Sequence, residues 1–157
     1  MKINLEINNT THSPIEEKFF EEIAEKTLIA ANYDFLNLPI NEKKINVSVA
    51  FVTPAEIRKI NKNYRQYDSV TDILSFPEYK STEDLENEIN ANNQPEIFLG
   101  ELILCYNDIK EYAIKEKIYF EKELAKVFAH GLLHLLGFSH GEKMFLLQDQ
   151  VANKIEA

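Results

Sequence analysis

Three of the four histidines in the chain fall within one short run, HGLLHLLGFSH, at positions 130, 134 and 140. If the run begins in a helix, positions four apart lie about 40° apart on one face, so His130 and His134 can aim imidazole nitrogens at a single ion. Gly137 follows closely, and a glycine ending a helix permits the left-handed turn that would bring His140 back to the same point. Neutral imidazole is the commonest transition-metal ligand, and three protein ligands leave a fourth position open, as catalytic rather than structural zinc sites do. The run therefore predicts a metal centre built from His130, His134 and His140, and with it a hydrolase.

Histidines can also be ordinary core residues satisfied by hydrogen bonds. On a helical wheel of residues 120 to 136, the apolar arc centres near Phe128, Leu132 and Leu135, while His130 and His134 lie towards its edge beside Glu123. That margin suits a cleft with one apolar wall. Glu123 shares the histidine stripe and is a candidate partner behind the ligands, although an exposed helix carboxylate is the default reading.

The spacing H-x3-H-x5-H matches the ligand pattern of metzincin proteases, in which a glutamate after the first histidine acts as general base; here that position is Gly131. Peptide hydrolysis by that route is disfavoured. A metal can still lower the pKa of its water to about 7. Phosphodiester cleavage would then need a cation for the charge developing on phosphorus oxygens, a task suited to a bidentate arginine. Residues 57 to 67, IRKINKNYRQY, carry Arg58, Lys59, Lys62 and Arg65 without an acid.

The elements that would position these residues run in the order β-α-β-α-β-β-α-α-α along the chain. Residues 3 to 7 and 45 to 52 alternate apolar and polar as strands do, and 71 to 76 and 97 to 104 read as two more. Ser13-Pro14 opens a helix to about Asn32, and Thr53-Pro54 reads as N-cap and first residue of a short basic helix. Helices are expected over 107 to 116, 120 to 136 and 142 to 155. The acidic, Asn-rich stretch 81 to 96, with Glu83, Asp84, Glu86, Glu88 and Glu96, lacks apolar period and reads as a surface loop. The order predicts one α+β domain over 1 to 157, with helices packed on a small mixed sheet and the metal site on a C-terminal helix and the loop after it.

A formal net charge of −9 at pH 7 argues against a general nucleic-acid coat and leaves one local basic patch. Cys105 is the sole cysteine, so no internal disulfide framework exists, which fits a reducing compartment. No long apolar run is present, and we expect a cytoplasmic protein with no membrane partner.

Together HGLLHLLGFSH, NYRQYDSVTDILSFP at 63 to 77 and FLGELIL at 98 to 104 resemble, in order and spacing, the YbeY family of ribosomal-RNA maturation endoribonucleases. The resemblance anchors the chain from about 45 to 140. It implies a zinc-dependent, single-strand-specific endoribonuclease of the bacterial cytoplasm, acting in maturation of small-subunit ribosomal RNA and in ribosome quality control, with the small subunit and its proteins as partners. One zinc per chain is expected on the three histidines, with Arg65 near the scissile phosphate. Lys62 is a candidate phosphate contact, and Tyr64 and Tyr67 are candidates to stack unpaired bases, against the simpler reading of both rings as packing residues. For Arg65 the simpler reading is a surface charge or an ion pair with Asp68. The chain departs from the family pattern at Ser139 and Glu101, where aspartates are usual. Two other readings remain: a metallopeptidase using Glu101 or Glu142 as base, and a non-catalytic ribosome-assembly factor with a structural metal.

Overall fold

The computed structural model describes residues 1–155, in which strands and helices alternate. Strand β1 (Lys2–Asn9) leads into helix α1 (Glu17–Ala31), a single π-helical turn (Asn32–Leu36), strand β2 (Lys44–Phe51) and helix α2 (Pro54–Arg65). Strand β3 (Ile73–Pro77), helix α3 (Thr82–Ala91), strand β4 (Glu96–Leu104) and helices α4 (Tyr106–Glu116), α5 (Phe120–Leu135) and α6 (Glu142–Ala152) follow. The strands form one sheet in the order β1-β2-β4-β3, with β3 antiparallel to β4 and the other neighbours parallel. This is the expected mixed sheet in an α+β arrangement. None of the described helices is long and apolar enough to cross a membrane.

Strand β4 carries a device that alternation alone does not reveal. Asn46 pairs with Phe98 but Val47 pairs with Gly100, so Leu99 is an extra residue and the alternation changes phase. Ile97 and Leu99 before the bulge, and Leu102 and Leu104 after it, therefore all enter the main core. Ile103 and Cys105 face the opposite side, where Ile57 of α2 and Leu74 of β3 cover them. Gly100 sits at φ +137°, and a Cβ there would come within 2.3 Å of the Phe76 carbonyl oxygen, so only glycine lets β3 approach.

Helix α5 crosses the main-core face of the sheet and packs on β3, β4, α1, α4 and α6. Gly131 explains how close it comes. A Cβ on that residue would lie 2.5 Å from Ile73 Cδ1 and 3.0 Å from Leu102 Cδ2. Position 131 faces the sheet, so a side chain there would have to displace the ends of Ile73 and Leu102.

Helix α2 begins as expected, with a complete capping box in which the Thr53 hydroxyl accepts from Glu56 N–H and the Glu56 carboxylate accepts from Thr53 N–H. Three expectations need correction. The 81 to 96 stretch is not a loop: Thr82–Ala91 is helical, its N-cap Ser81 accepts from Asp84 N–H, and Leu85 and Ile89 are buried one turn apart. Two apolar residues were enough to seat a helix that is otherwise polar and solvated. Helix α1 starts at Glu17 rather than at Pro14, and α6 ends at Ala152; residues 156 and 157 lie outside the described chain.

Candidate metal centre

Helix α5 places His130 and His134 on one edge, one turn apart, as their spacing requires. Immediately after it, Gly137 takes φ +95°, and its N–H donates to the His134 carbonyl while Phe138 N–H donates to the Leu133 carbonyl. The turn is held from outside: a Cβ at 137 would collide with Thr82 at the start of α3, and the Thr82 hydroxyl donates to the Leu136 carbonyl at 2.7 Å. The acidic helix thus braces the loop that returns His140.

The three Nε2 atoms form a nearly equilateral triangle with sides of 3.1, 3.2 and 3.3 Å. Tetrahedral ligands at a Zn–N length of 2.0–2.1 Å stand about 3.3–3.4 Å apart, so the triangle has the dimensions of three corners of such a site. His130 and His140 are near-parallel at 28° between planes, and His134 stands at 85° and 86° to them. Two outer nitrogens are engaged: His130 Nδ1 lies 2.7 Å from Gln148 Oε1, and His134 Nδ1 lies 3.1 Å from the Phe138 carbonyl. The Phe138 carbonyl can only accept, so His134 Nδ1 carries the proton; with Oε1 of Gln148 presented to it, His130 Nδ1 does the same, which turns both Nε2 lone pairs inwards. The donor set fits a transition metal.

Burial depresses the His134 pKa from 6.5 to about 4, assisted by the charge of His130 and opposed by the Phe138 carbonyl. At neutral pH this ring is unprotonated, the state in which an imidazole can coordinate a cation.

The histidines line a cavity of about 320 Å³ together with Arg65, Asp72, Ser75, Glu123 and Gln148. Arg65 is the last residue of α2, and its Nη2 donates to the Ser75 carbonyl at 3.3 Å. The simpler reading of Arg65 as the ion-pair partner of Asp68 does not hold, because Asp68 takes Arg58 instead, Nε to Oδ1 at 2.8 Å. Glu123 is 8% exposed, which overturns its reading as a solvated carboxylate, and burial raises its pKa, with Lys126 pulling it down and Asp72 pushing it up. It does not bond His130; Gln148 does.

Lys62, Tyr64 and Tyr67 are exposed on and just beyond α2 and do not line this cavity. Tyr64 packs edge-on against Phe76, ring centroids 5.5 Å apart. Nor do Glu101 and Glu142 line it: Glu101 pairs across the sheet with Ser48 and Phe76, and Glu142 lines a separate opening beside His140. Ser139 is exposed.

Gln148 and Asp72 were not singled out in the sequence. Gln148 had a faint signal. It shares the buried face of α6 with Met144, Leu147 and Val151, and a lone polar residue on an apolar stripe needs a partner.

The family profile for Endoribonuclease YbeY matches residues 6–156. The chain is 34% identical to an Endoribonuclease YbeY of Macrococcus caseolyticus, over 90% of this chain and 89% of that protein. With that of Staphylococcus saprophyticus it is 35% identical, over 88% of each. The chain belongs to the YbeY endoribonuclease family. The solution structure of a Thermotoga maritima protein superposes with a TM-score of 0.58 at 25% identity, covering 96% of this chain and 88% of that one. The YbeY match begins within β1, so it reaches well beyond the stretch that the three sequence motifs anchored.

Proposed function

We propose that the chain is a zinc-dependent endoribonuclease specific for single strands, acting in the bacterial cytoplasm on small-subunit ribosomal RNA during its maturation and quality control. The observation that supports this most is the convergence of three inward-facing Nε2 atoms and one arginine on a single cavity. Membership of an endoribonuclease family points to RNA as the substrate class.

His130, His134 and His140 would hold the ion, which when bound supplies Lewis acidity towards a phosphoryl oxygen and acidifies water. The remaining steps fall to the chain. Arg65 spends one N–H on the Ser75 carbonyl, and its remaining guanidinium donors pair with the non-bridging oxygens as negative charge develops. The Ser75 bond tethers the arginine at one point on the cavity that the histidines line, so that the scissile phosphate sits between them. Asp72 and Glu123 offer carboxylate proton acceptors in the same cavity, a place that residue 131 cannot fill. Lys62, Tyr64 and Tyr67, outside the cavity, are assigned to strand beyond the scissile bond, where a cation and exposed rings suit unpaired nucleotides.

The test is cleavage of a single-stranded RNA by metal-quantified protein, with and without chelator, beside the same sequence as a duplex, as DNA and with 2′-deoxy substitution. One zinc per chain with chelator-sensitive cutting of the single strand is the expected result. Cutting that persists in metal-free protein would overturn the mechanism. Loss of cutting on 2′-deoxy substitution identifies the RNA hydroxyl as nucleophile; retained cutting identifies water.

A further inference from the structure

The bond from α6 to the metal-centre histidines has a chemical consequence. Gln148 is 6% exposed, lies 18 positions from His130 and touches it at 2.7 Å through Oε1. We propose that Gln148 is a positioning residue whose side-chain carbonyl holds His130 in the Nδ1–H tautomer with its Nε2 directed at the ion, and that this bond sets the metal affinity of the centre. The inference rests on the reading of the three histidines as metal ligands.

The argument begins with what His130 could otherwise do. A neutral imidazole carries one proton, and if Nδ1 has no acceptor the proton can move to Nε2 and abolish the lone pair the ion needs. His134 is protected from this by a backbone carbonyl, the Phe138 oxygen at 3.1 Å, which no substitution removes. His130 has no such main-chain partner: it sits inside α5, where the helix's carbonyls are already engaged, so a side chain from another element must serve. Helix α6 supplies it. Met144, Leu147 and Val151 bury the same face of α6 against the core, which fixes where Gln148 stands.

The choice of an amide also matters. A carboxylate in this place would accept the same N–H but would add a negative charge next to the ion, making His130 more basic and the bound ion less electrophilic. A neutral carbonyl orients the ring without that cost to Lewis acidity. Gln148 thus orients the first ligand while leaving the charge of the centre to the histidines and the cation.

The experiment is a zinc-affinity measurement by competition with a chromophoric chelator on the full chain, comparing wild type with Gln148→Met and Gln148→Glu. Methionine keeps length and apolar fit but cannot accept the N–H, and we expect zinc affinity to fall about 10- to 100-fold. Gln148→Glu restores the acceptor and should bind zinc at least as tightly as wild type. Nitrogen chemical shifts of His130 in the metal-free proteins report the tautomer directly: the Nδ1–H form in wild type and in Gln148→Glu, a mixture in Gln148→Met. Thermal unfolding of the metal-free variants identifies one that fails to fold, and in that case the tautomer and affinity of Gln148→Glu decide the matter. Unchanged affinity in a folded Gln148→Met, or equal losses in both variants, would overturn the role of Gln148 while leaving the metal centre standing. If wild-type protein binds no zinc, the metal-centre reading fails and takes this inference with it.

Discussion

On one wall of the cavity the histidines are backed by further groups: Gln148 behind His130, the Phe138 carbonyl behind His134, and the Gly137 turn, braced by Thr82, beneath His140. On another wall of the same cavity Arg65 stands at the exposed end of α2, where Gln66 breaks the helix in the left-handed conformation, with one 3.3 Å bond to a strand carbonyl. The two walls ask for different things. A metal ligand must hold its geometry before the ion arrives, because every degree of freedom left to it weakens binding. A phosphate-binding cation has to meet a mobile single strand, and a long side chain tethered at one point can follow it. Damage to the first wall should therefore cost metal and fold, and damage to the second should cost chemistry alone.

The largest expected effect comes from the built wall. His134→Ala should abolish zinc binding and RNA cleavage together, measured by metal analysis and by gel assay of the same preparation. Arg65→Ala should reduce kcat by about 10²- to 10³-fold, the scale seen when one donor to a developing oxyanion is removed. Its zinc content and thermal midpoint should stay at wild-type values. Loss of zinc in Arg65→Ala would erase the contrast between the walls.

Gly137→Ala probes the brace. At φ +95° a side chain is strained, and its Cβ would fall 2.3 Å from the Thr82 backbone nitrogen, so α3 must shift. Destabilisation of about 1–3 kcal/mol by denaturant unfolding is expected, with weaker zinc binding because His140 follows the displaced turn. A variant with wild-type stability and zinc affinity would show that the acidic helix does not brace the site.

Acid should act on the built wall as well. In metal-free protein His134 has its native pKa near 4 against 6.5 for an unhindered ring, so between those values the unfolded chain binds a proton that the folded chain does not. Stability then falls as pH drops through that window and is flat above it. Thermal midpoints of metal-free wild type should decline on going from about pH 7.5 to about 5, and those of His134→Gln should decline less. Equal declines would place the acid sensitivity elsewhere.

The same division governs what could be read from the residues alone. The histidine triad was legible because its geometry is local: a helical repeat and a glycine turn within one short run bring the three rings together. Strand and helix types followed from period and capping, and Thr53 with Glu56 formed the box their spacing implies. Helix α3 was missed because only Leu85 and Ile89 mark its buried face, too few to show an apolar period on an otherwise solvated surface. Gln148 and Asp72 were missed for a related reason. They reach the cavity from α6 and from the start of β3, and no spacing within a segment encodes a contact between segments. The bulge at Leu99 is a similar case, since the apolar residues of β4 read as a plain buried strand until the register with β2 is known.

The smallest effect should come from outside the cavity, further back on the helix that carries Arg65. Lys62 is exposed on α2, one turn before Arg65, and does not line the cavity. A cation in that position can contact a phosphate of the strand running away from the scissile bond, but it cannot touch the reacting atoms. Lys62→Ala should therefore weaken RNA binding uniformly across sequences and reduce the slope of log affinity against log salt by about one, the signature of a single lost phosphate contact. Single-turnover cleavage at saturating RNA, zinc content and stability should all be unchanged. An unaltered salt slope would remove Lys62 from the RNA path, whereas a fall in the saturated cleavage rate would mean that the chemistry extends further along α2 than the cavity does.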